Sequence, residues 1–285
     1  MKKFLLLCGV ALLGMSHASA QEFYGLGNRV GISVGAGLTG ITIDAATCLT
    51  PYVGVRAGVD YFPNVKVDTD LDVEIDGETR QYFGQLGSLN SFDGNLPKKI
   101  EVQGKTSMTT GHILFDIHPF KTGFRITAGA YFGGSEIISV YNKEPGSMAN
   151  IAAYNAKLAD GSLQTPNVDG QKLPLSQFSK VGVALGDYFL SPKSDGSMDA
   201  TLEVSSFRPY LGIGFGHAVP KKRLGVQFDL GVQFWGSPKV YLDGDNGRDQ
   251  LTEEDADGDG GDVIKTLSKI TVYPSMTLRI TGRIL

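Results

Sequence analysis

Apolar and polar residues alternate with a period of two along much of the chain, most clearly over residues 207–239. Two alternating runs in this stretch are joined by a short basic turn. In the second run, Leu224, Val226, Phe228, Leu230, Val232 and Phe234 alternate with Gly225, Gln227, Asp229, Gly231 and Gln233. Period two over nine or more residues predicts long strands whose two faces meet different surroundings.

The composition of the polar face distinguishes between two architectures. In a soluble sandwich this face meets water and usually carries Lys, Glu, Thr and Ser. Here it consists of glycine around single Arg, Asp or Gln residues, which suits a narrow interior where small residues make room for large ones. The runs also match the roughly 9 to 11 residues that cross a bilayer at a tilt. The pattern favours a transmembrane β-barrel with a polar lumen, and a soluble sandwich is the alternative.

The remaining strands give an incomplete count. Further alternating runs predict strands over residues 29–44, 52–62, 100–120, 124–142 and 272–284. Together with the two strands of residues 207–239 this makes seven strands. A barrel with both chain ends on one side needs an even number. We predict an all-β, antiparallel up-and-down barrel of eight strands, with ten as the alternative. The missing strand is expected in residues 21–30 or in a segment such as 178–190.

The connections between these strands alternate between short and long. Residues 63–98 are polar and acidic and are predicted as a long loop with strand extensions. Residues 143–199 form the longest irregular stretch, in which MANIAAYNAKLADG is compatible with a short helix. Outer-membrane barrels have short periplasmic turns and long extracellular loops. We therefore expect the acidic stretches outside the cell and the basic segment at 220–223 on the periplasmic rim.

The first 20 residues have the organisation of a secretory signal peptide. Lys2 and Lys3 precede an apolar run over residues 4–13, and Ala18-Ser19-Ala20 form a small-residue cleavage site. Cleavage would leave residues 21–285 as a single barrel domain and change the formal charge from −4 to −6, because two lysines are lost. No later run of 18 apolar residues predicts a transmembrane helix, so the location expected is the outer membrane of a Gram-negative cell.

Charged residues on the inward parity are the first candidate site. They are Arg56, Asp60, Asp116, Arg125, Arg208, Asp229, Arg279 and Arg283. A charge in a narrow lumen is unfavourable unless it is paired, so we expect Arg–Asp ion pairs with bidentate geometry. One interpretation is a polar plug that closes the barrel. The alternative is a charge-lined constriction, in which five arginines against three aspartates would favour anions.

The acidic stretch over residues 243–262 is the second candidate site. Three of its aspartates match positions one, three and five of an EF-hand loop: Asp255, Asp257 and Asp259. Gly260 matches position six, but position twelve, which should be a bidentate Glu, is Thr266. We interpret the stretch as a solvated loop, with weak Ca²⁺ binding among cation-bridged lipopolysaccharide as the alternative.

Nothing in the sequence indicates an enzyme. After the signal peptide the histidines are His112, His118 and His217, and the last two precede short turns. A lipid enzyme of the outer leaflet would need His and Ser near the opposite rim. No cofactor motif is found, and the acidic mature chain argues against nucleic-acid binding. The partners expected are outer-membrane lipid, lipopolysaccharide and the barrel assembly machinery, with the chain a monomer.

Several strand motifs resemble those of an uncharacterised family of Gram-negative outer-membrane β-barrels, of the OmpA/OmpW-like small-barrel type. These motifs are DIHPF, RPYLGIGFGHAV, FDLGVQFWGSPKV and VYPSMTLRITGRI, and CLTPYVGVRAGVDYF is similar to the family's first hairpin. The resemblance covers most of residues 29–62, 100–140 and 207–285. Leu285 stands where many such barrels have an aromatic residue used in assembly. The resemblance implies a fold and a location and no known activity.

These observations together predict an outer-membrane barrel protein with a structural or surface-interaction role. At eight strands the interior is just wide enough for side chains to fill it, which favours a lumen closed by Arg–Asp pairs. The alternative is a small porin-like channel with a charge-lined lumen.

Overall fold

The computed structural model describes residues 29–120, 122–185, 188–245, 247–252, 266 and 268–284. The strands, in chain order, are β1 (Val30–Gly37), β2 (Gly40–Cys48), β3 (Val53–Phe62), β4 (Lys66–Glu74), β5 (Lys99–Thr106), β6 (Met108–Ile117), β7 (Phe124–Gly133), β8 (Glu136–Asn142), β9 (Asn167–Val168), β10 (Gln171–Lys172), β11 (Gly182–Leu185), β12 (Tyr188–Leu190), β13 (Asp199–Glu203), β14 (Phe207–Phe215), β15 (Leu224–Phe234), β16 (Lys239–Gly244), β17 (Gly247–Leu251) and β18 (Val272–Arg283). The helices are α1 (Gly77–Asn90) and α2 (Gly146–Ala159), with a 3₁₀ turn at Leu175–Gln177.

Eight of these strands close into an antiparallel barrel, which confirms the predicted fold class. Their order around the barrel is β1-β2-β3-β6-β7-β14-β15-β18, and β18 pairs with β1 to close it. The hairpin of β14 and β15 pairs Gly212 with Gly231 and Phe215 with Phe228. Because the barrel is closed, each of its strands is hydrogen-bonded to a neighbour on both sides, and no strand edge is left open.

Burial follows the alternation of the sequence. On β15, Leu224 and Val226 are 70% and 61% exposed, whereas Gln227 and Gln233 are buried. All eight barrel strands carry large apolar side chains on the outer face in this way. A continuous apolar belt of this size is unfavourable in water and is typical of a barrel surrounded by lipid.

The eighth strand comes from the stretch that was predicted as a single strand over residues 29–44. This stretch folds as the hairpin of β1 and β2, with Leu38 and Thr39 between the strands and Gly37 paired with Gly40. Gly40 has a φ of +96°, a conformation that favours glycine in a tight turn. The alternative source at 178–190 is wrong, because β11 pairs with β4, and β12 with β11, outside the barrel. Residues 21–28 lie outside the described residues.

The long connections fold into a second sheet rather than into loops, and β4 is a strand extension of the kind expected in residues 63–98. Its order is β12-β11-β4-β5-β8-β13-β16-β17. Five of these strands directly precede or follow a barrel strand: β4, β5, β8, β13 and β16 adjoin β3, β6, β7, β14 and β15 in the same lateral order. The sheet therefore extends one side of the barrel wall beyond the barrel, and the runs predicted over 100–120 and 124–142 each divide into two strands.

We call this region, the described parts of residues 63–107, 134–206 and 235–271, the head. Its helices pack on the sheet around Phe83, Leu86, Met148, Ile151 and Tyr154, which are fully or almost fully buried. The helix expected in MANIAAYNAKLADG is α2. No helix in the described part of the chain is long and apolar enough to cross a membrane.

The start of α1 ties the head together. The Asp76 carboxylate caps the helix by accepting from the Thr79 backbone N–H at 2.7 Å, and it also accepts from the Ser179 hydroxyl. Burial alone would raise the pKa of Asp76, but hydrogen bonds from Ser179 and Thr79 hold it below its usual value. The ionised carboxylate therefore joins α1 to the segment before β11.

The opposite end of the barrel carries only short connections, over residues 49–52, 118–123 and 216–223. We call it the turn end. It also receives the start of β1 and the end of β18, as expected for a barrel whose two chain ends lie on the same side.

Candidate functional site

The centre of the lumen is organised around Asp229 on β15. Its carboxylate contacts three guanidinium groups: Arg56 Nη1 at 3.0 Å, Arg125 Nη2 at 2.6 Å and Arg279 Nη1 at 2.5 Å. These arginines lie on β3, β7 and β18, so one carboxylate links four strands. Alternation directs each side chain inward, because all four residues have the buried parity of their strands.

A second carboxylate, Asp116 on β6, completes the coordination of two of these arginines. Its oxygens lie 2.8 Å from Arg56 Nε and 3.4 Å from Arg125 Nε. The Thr127 hydroxyl donates to it at 2.7 Å. Arg56 thus has carboxylates on two sides, and its two Nη groups donate to both oxygens of Asp229, at 3.0 Å and 3.2 Å, in the bidentate arrangement that gives strong charge-assisted hydrogen bonds.

A third group surrounds His112 on β6. Its Nε2 lies 2.5 Å from Asp44 Oδ1, and its Nδ1 lies 3.1 Å from Asp60 Oδ2. Asp44 also contacts Arg279 Nε at 2.7 Å and accepts from the Ser33 hydroxyl at 2.9 Å. Through Arg279 this group joins the carboxylate at the centre of the lumen.

We call these eight residues the lumen charge cluster: Asp44, Arg56, Asp60, His112, Asp116, Arg125, Asp229 and Arg279. Each is at most 3% exposed. The cluster contains three arginines and four aspartates, so an imidazolium at His112 would make it neutral. Because water is excluded from these groups, each charge depends on its partners within the cluster.

Other inward side chains occupy the lumen on both sides of the cluster. Leu114, Tyr131 and Tyr210 form a buried group, and a second apolar group near the head contains Ile137, Val204 and Trp235. The Trp235 ring stacks on Tyr273 at 4.4 Å. Towards the turn end, Ala46, Ala218 and Val219 pack together.

Glycines on the inward face make room for these large side chains. A Cβ at Gly212 or at Gly231 would lie 2.5 Å from the Tyr210 hydroxyl oxygen. The Gly-rich polar parity of the sequence therefore provides the space that an aromatic ring needs inside a narrow barrel.

The structure brings six of the eight predicted lumen residues together and places two elsewhere. Arg208 is buried near the head, where it donates to the carbonyls of Ser205 and Gly134 and lies 6.0 Å from the Trp235 ring. Arg283, the last residue of β18, is exposed and donates to the Lys221 carbonyl at 3.1 Å. Neither contacts an aspartate, because each lies near one end of its strand, away from the level of the carboxylates.

Asp44 and His112 are cluster members that the sequence reasoning did not include. The apolar positions change from even numbers up to Leu38 to odd numbers from Ile41 onward. This change of parity marks the turn between β1 and β2, and applying it would have placed Asp44 inward. The sequence predicted five arginines and three aspartates in the lumen, whereas the lumen charge cluster contains three arginines and four aspartates. This removes the basis for an anion preference.

The predicted calcium ligands Asp255, Asp257 and Asp259 lie outside the described residues. Among the residues that are described, no group of three or more His, Cys, Asp or Glu side chains has the arrangement of a metal site.

The head contains a cavity of about 730 Å³ beside the helix-covered part of its sheet. Val140, Ala200 and Leu242 lie directly opposite one another on β8, β13 and β16, so they share one sheet face. Val140 packs against the helix-covered core, and the same face continues past the helices to line the cavity. A concave apolar surface of this size is typical of small-molecule sites.

Comparisons with known proteins give a similar structure and no family. No protein-family profile matches the chain, and no curated protein is detectably similar in sequence. The crystal structure of Acinetobacter baumannii CarO2 is 18% identical with a TM-score of 0.44, over 90% of this chain and 98% of that chain. The crystal structure of Acinetobacter baumannii CarO is 14% identical with a TM-score of 0.43, over 89% of this chain and 97% of that chain.

Proposed function

We propose that the protein is an outer-membrane barrel whose lumen is closed and whose head interacts with partners at the cell surface. The lumen charge cluster carries this proposal. β3 and β15 are four steps apart around the eight-stranded barrel and therefore lie on opposite sides of it. The Arg56–Asp229 ion pair consequently crosses the full width of the lumen.

The burial of the cluster supports closure over conduction. Arg56 and Arg125 are 0% exposed and Arg279 is 1% exposed, whereas a pore lined by arginine would leave these groups in contact with water. Bonds from Asp116 and Asp44 hold the same arginines from other strands. The barrel then acts as a rigid anchor, and the specific chemistry of the protein belongs to the head.

The outer surface and the two ends of the barrel support the proposed location and orientation. The apolar belt requires lipid, and the signal-peptide pattern directs the chain out of the cytoplasm. Outer-membrane barrels place short turns in the periplasm, so the head faces the exterior. There the head would contact lipopolysaccharide or the surface of another cell. Its cavity would be the place where it binds an apolar group.

Conductance tests the closed lumen directly. We would refold the mature chain, verify the barrel by its shift in electrophoresis with and without boiling, and record the unboiled species in planar bilayers. The expected result is a heat-modifiable protein without discrete conductance steps. Regular steps of one size in the wild-type protein would reverse the proposal in favour of the porin-like channel.

Surface labelling tests the orientation independently. A single cysteine at exposed Asp70 in the head, in a Cys48→Ala background, should react with a membrane-impermeant maleimide on intact cells. A matched cysteine at Lys222, at the turn end, should react only after the outer membrane is opened. The reverse pattern would place the head in the periplasm.

A further inference from the structure

The turn end contains a small cavity of about 200 Å³ that the proposed role of the head does not use. It lies between the connection after β2, the two turns after β6 and β14, and the chain next to the ends of β1 and β18. Its charged and titratable lining consists of Arg29, Cys48, His118, His217, Lys221 and Arg283. No carboxylate is among the described residues that line it, so the described lining is cationic.

The cavity lining includes a buried ring nitrogen. His118 is 8% exposed, and its Nε2 is buried without a hydrogen-bond partner. Its ring stacks on His217, with centroids 5.0 Å apart and an interplanar angle of 16°. The backbone fixes this position, because the His118 N–H donates to the Tyr52 carbonyl at 2.8 Å. Buried polar atoms are nearly always paired in folded proteins, so an unpaired ring nitrogen beside a cavity indicates a binding group.

Lys221 and Arg283 complete the cavity, and backbone carbonyls of the last turn-end connection hold Arg283 in place. Arg283 Nη1 donates to the Lys221 carbonyl at 3.1 Å, and the Arg283 backbone N–H donates to the Arg223 carbonyl at 2.9 Å. These contacts anchor the last turn-end connection to β18. The remaining guanidinium N–H groups and the Lys221 ammonium are donors for an oxyanion.

We propose that this cavity binds a phosphate-class tetrahedral oxyanion, with Lys221 and Arg283 supplying charge and His118 Nε2 supplying a hydrogen bond. Donors on different connections line the cavity, which suits an anion with oxygens in several directions. Two sources have this chemistry: free phosphate, and the phosphate of a lipid headgroup in the adjoining leaflet.

Protonation would couple to binding. Burial and the neighbouring His217 lower the pKa of His118, and burial and Lys221 lower the pKa of His217. Both rings are therefore neutral near pH 7 before binding, and an anion would favour their charged forms. The groups that face His118 are Asp116, Arg125, His217, Arg29, Cys48, Lys221 and Arg283. Only Asp116 among them is acidic, and it is already held by Arg56 and Arg125.

The test uses the refolded mature protein in a non-ionic detergent without phosphate. Inorganic phosphate and sulfate are titrated by calorimetry, while ¹⁵N spectra follow the histidine rings. We expect saturable binding that weakens roughly tenfold in Lys221→Gln and in Arg283→Gln, since each removes a charge-assisted hydrogen bond. Lys222→Gln, in the same turn but outside the cavity lining, is the matched control and should bind like the wild type. Sulfate affinity should rise from pH 7.5 to pH 6, because sulfate keeps its charge over this range.

A lipid arm separates the two sources. Barrels in nanodiscs of phosphatidylcholine are compared with barrels in nanodiscs that also contain phosphatidylglycerol, with the His118 ring signal as the readout. Saturable free-anion binding that depends on Lys221 assigns the site to free phosphate. A His118 shift that appears only with phosphatidylglycerol, and is lost in Lys221→Gln, assigns it to a headgroup. If neither occurs, or if Lys221→Gln and Lys222→Gln lose binding equally, the site does not exist. Heat modifiability of each variant verifies that it is folded.

Discussion

Replacing Asp229 with Asn gives a quantitative measure of how dry the lumen is. The substitution keeps the shape of the side chain but removes the carboxylate that contacts Arg56, Arg125 and Arg279. In a closed lumen, breaking a buried pair by removing one partner lowers stability by about 3–5 kcal/mol. In a water-filled lumen the same pairs would behave like surface ion pairs, whose loss is about 0–1 kcal/mol.

Asp229 is 3% exposed and contacts more than one cation, so we expect the upper range, about 3–5 kcal/mol. The assay is urea unfolding of the barrel in lipid vesicles, followed by fluorescence. Trp235 is the only tryptophan in the sequence and is buried at the head side of the cluster, so its emission reports on the lumen. Asp70→Asn makes the same charge change at an exposed head position and should alter stability by less than about 0.5 kcal/mol.

A double variant identifies the source of the loss. If Asp229→Asn destabilises because it leaves Arg125 without its closest carboxylate, then adding Arg125→Gln should lower stability by less than the sum of the two single changes. A coupling of about 1–3 kcal/mol is expected for residues in one ion-pair network. A loss below about 1 kcal/mol for Asp229→Asn alone, with no coupling, would refute a dry lumen and favour the channel.

Three further predictions address the belt, the glycines and the head. Leu230→Arg, in mid-strand, should lower the free energy of unfolding in lipid by about 2–4 kcal/mol, whereas Leu224→Arg, at the strand end, should lower it by about 0–1 kcal/mol. Equal losses of stability in vesicle unfolding would contradict the lipid belt. Gly129→Ala should destabilise by about 1–3 kcal/mol because its Cβ would lie 2.1 Å from a carbonyl oxygen, while Gly111→Ala, with 3.8 Å of space, should unfold like the wild type. Asp76→Ala should remove about 1 kcal/mol from α1, measured by hydrogen exchange. Because the folded pKa of Asp76 is lowered, its contribution to stability is present above its unfolded pKa and is lost as the pH falls through the folded pKa. Protection of the α1 amides, corrected for the intrinsic exchange rate, that is the same at pH 6 and pH 3 would contradict this.

The barrel could be predicted from the sequence because its signal is repeated in every strand. A lipid-facing strand must be apolar at every second position, and the lumen side of a narrow barrel must combine small residues with polar ones. β14 and β15 meet both conditions along their whole length. The turn between β1 and β2 escaped prediction because only two residues separate the strands, so its sign in the sequence is the change of parity between Leu38 and Ile41 rather than a polar segment.

The head could not be predicted in the same way because its strands are short and lie among long polar segments. β4 alternates acidic residues with Leu71 and Val73, which pack against the helices, so this strand alone carries a clear pattern of period two. α1 is similarly polar in most of its sequence, and buries only one narrow stripe that includes Phe83 and Leu86. Tertiary packing across connections far apart in the chain determines this region, and local patterns carry little information about it.

The partners within the lumen were also beyond the sequence, although the inward residues were not. Parity assigns Arg208 to the lumen as firmly as Arg56, yet only Arg56 lies at the level of the carboxylates. The position of an inward residue along the barrel axis depends on how the strands are staggered. The registers of all eight strand pairings together determine this stagger. The sequence thus defines which charges must be neutralised, and the closed topology defines the partners.

This relation between charge and topology connects the two parts of the molecule. Five barrel strands continue into the head sheet, so a change in barrel diameter would separate the head strands that pack around α1 and α2. Ion pairs that join opposite walls resist such a change, because widening the lumen would leave buried charges without partners. The proposed closed lumen is therefore consistent with an ordered head, because the ion pairs that would block the barrel also join the walls on which the head is built.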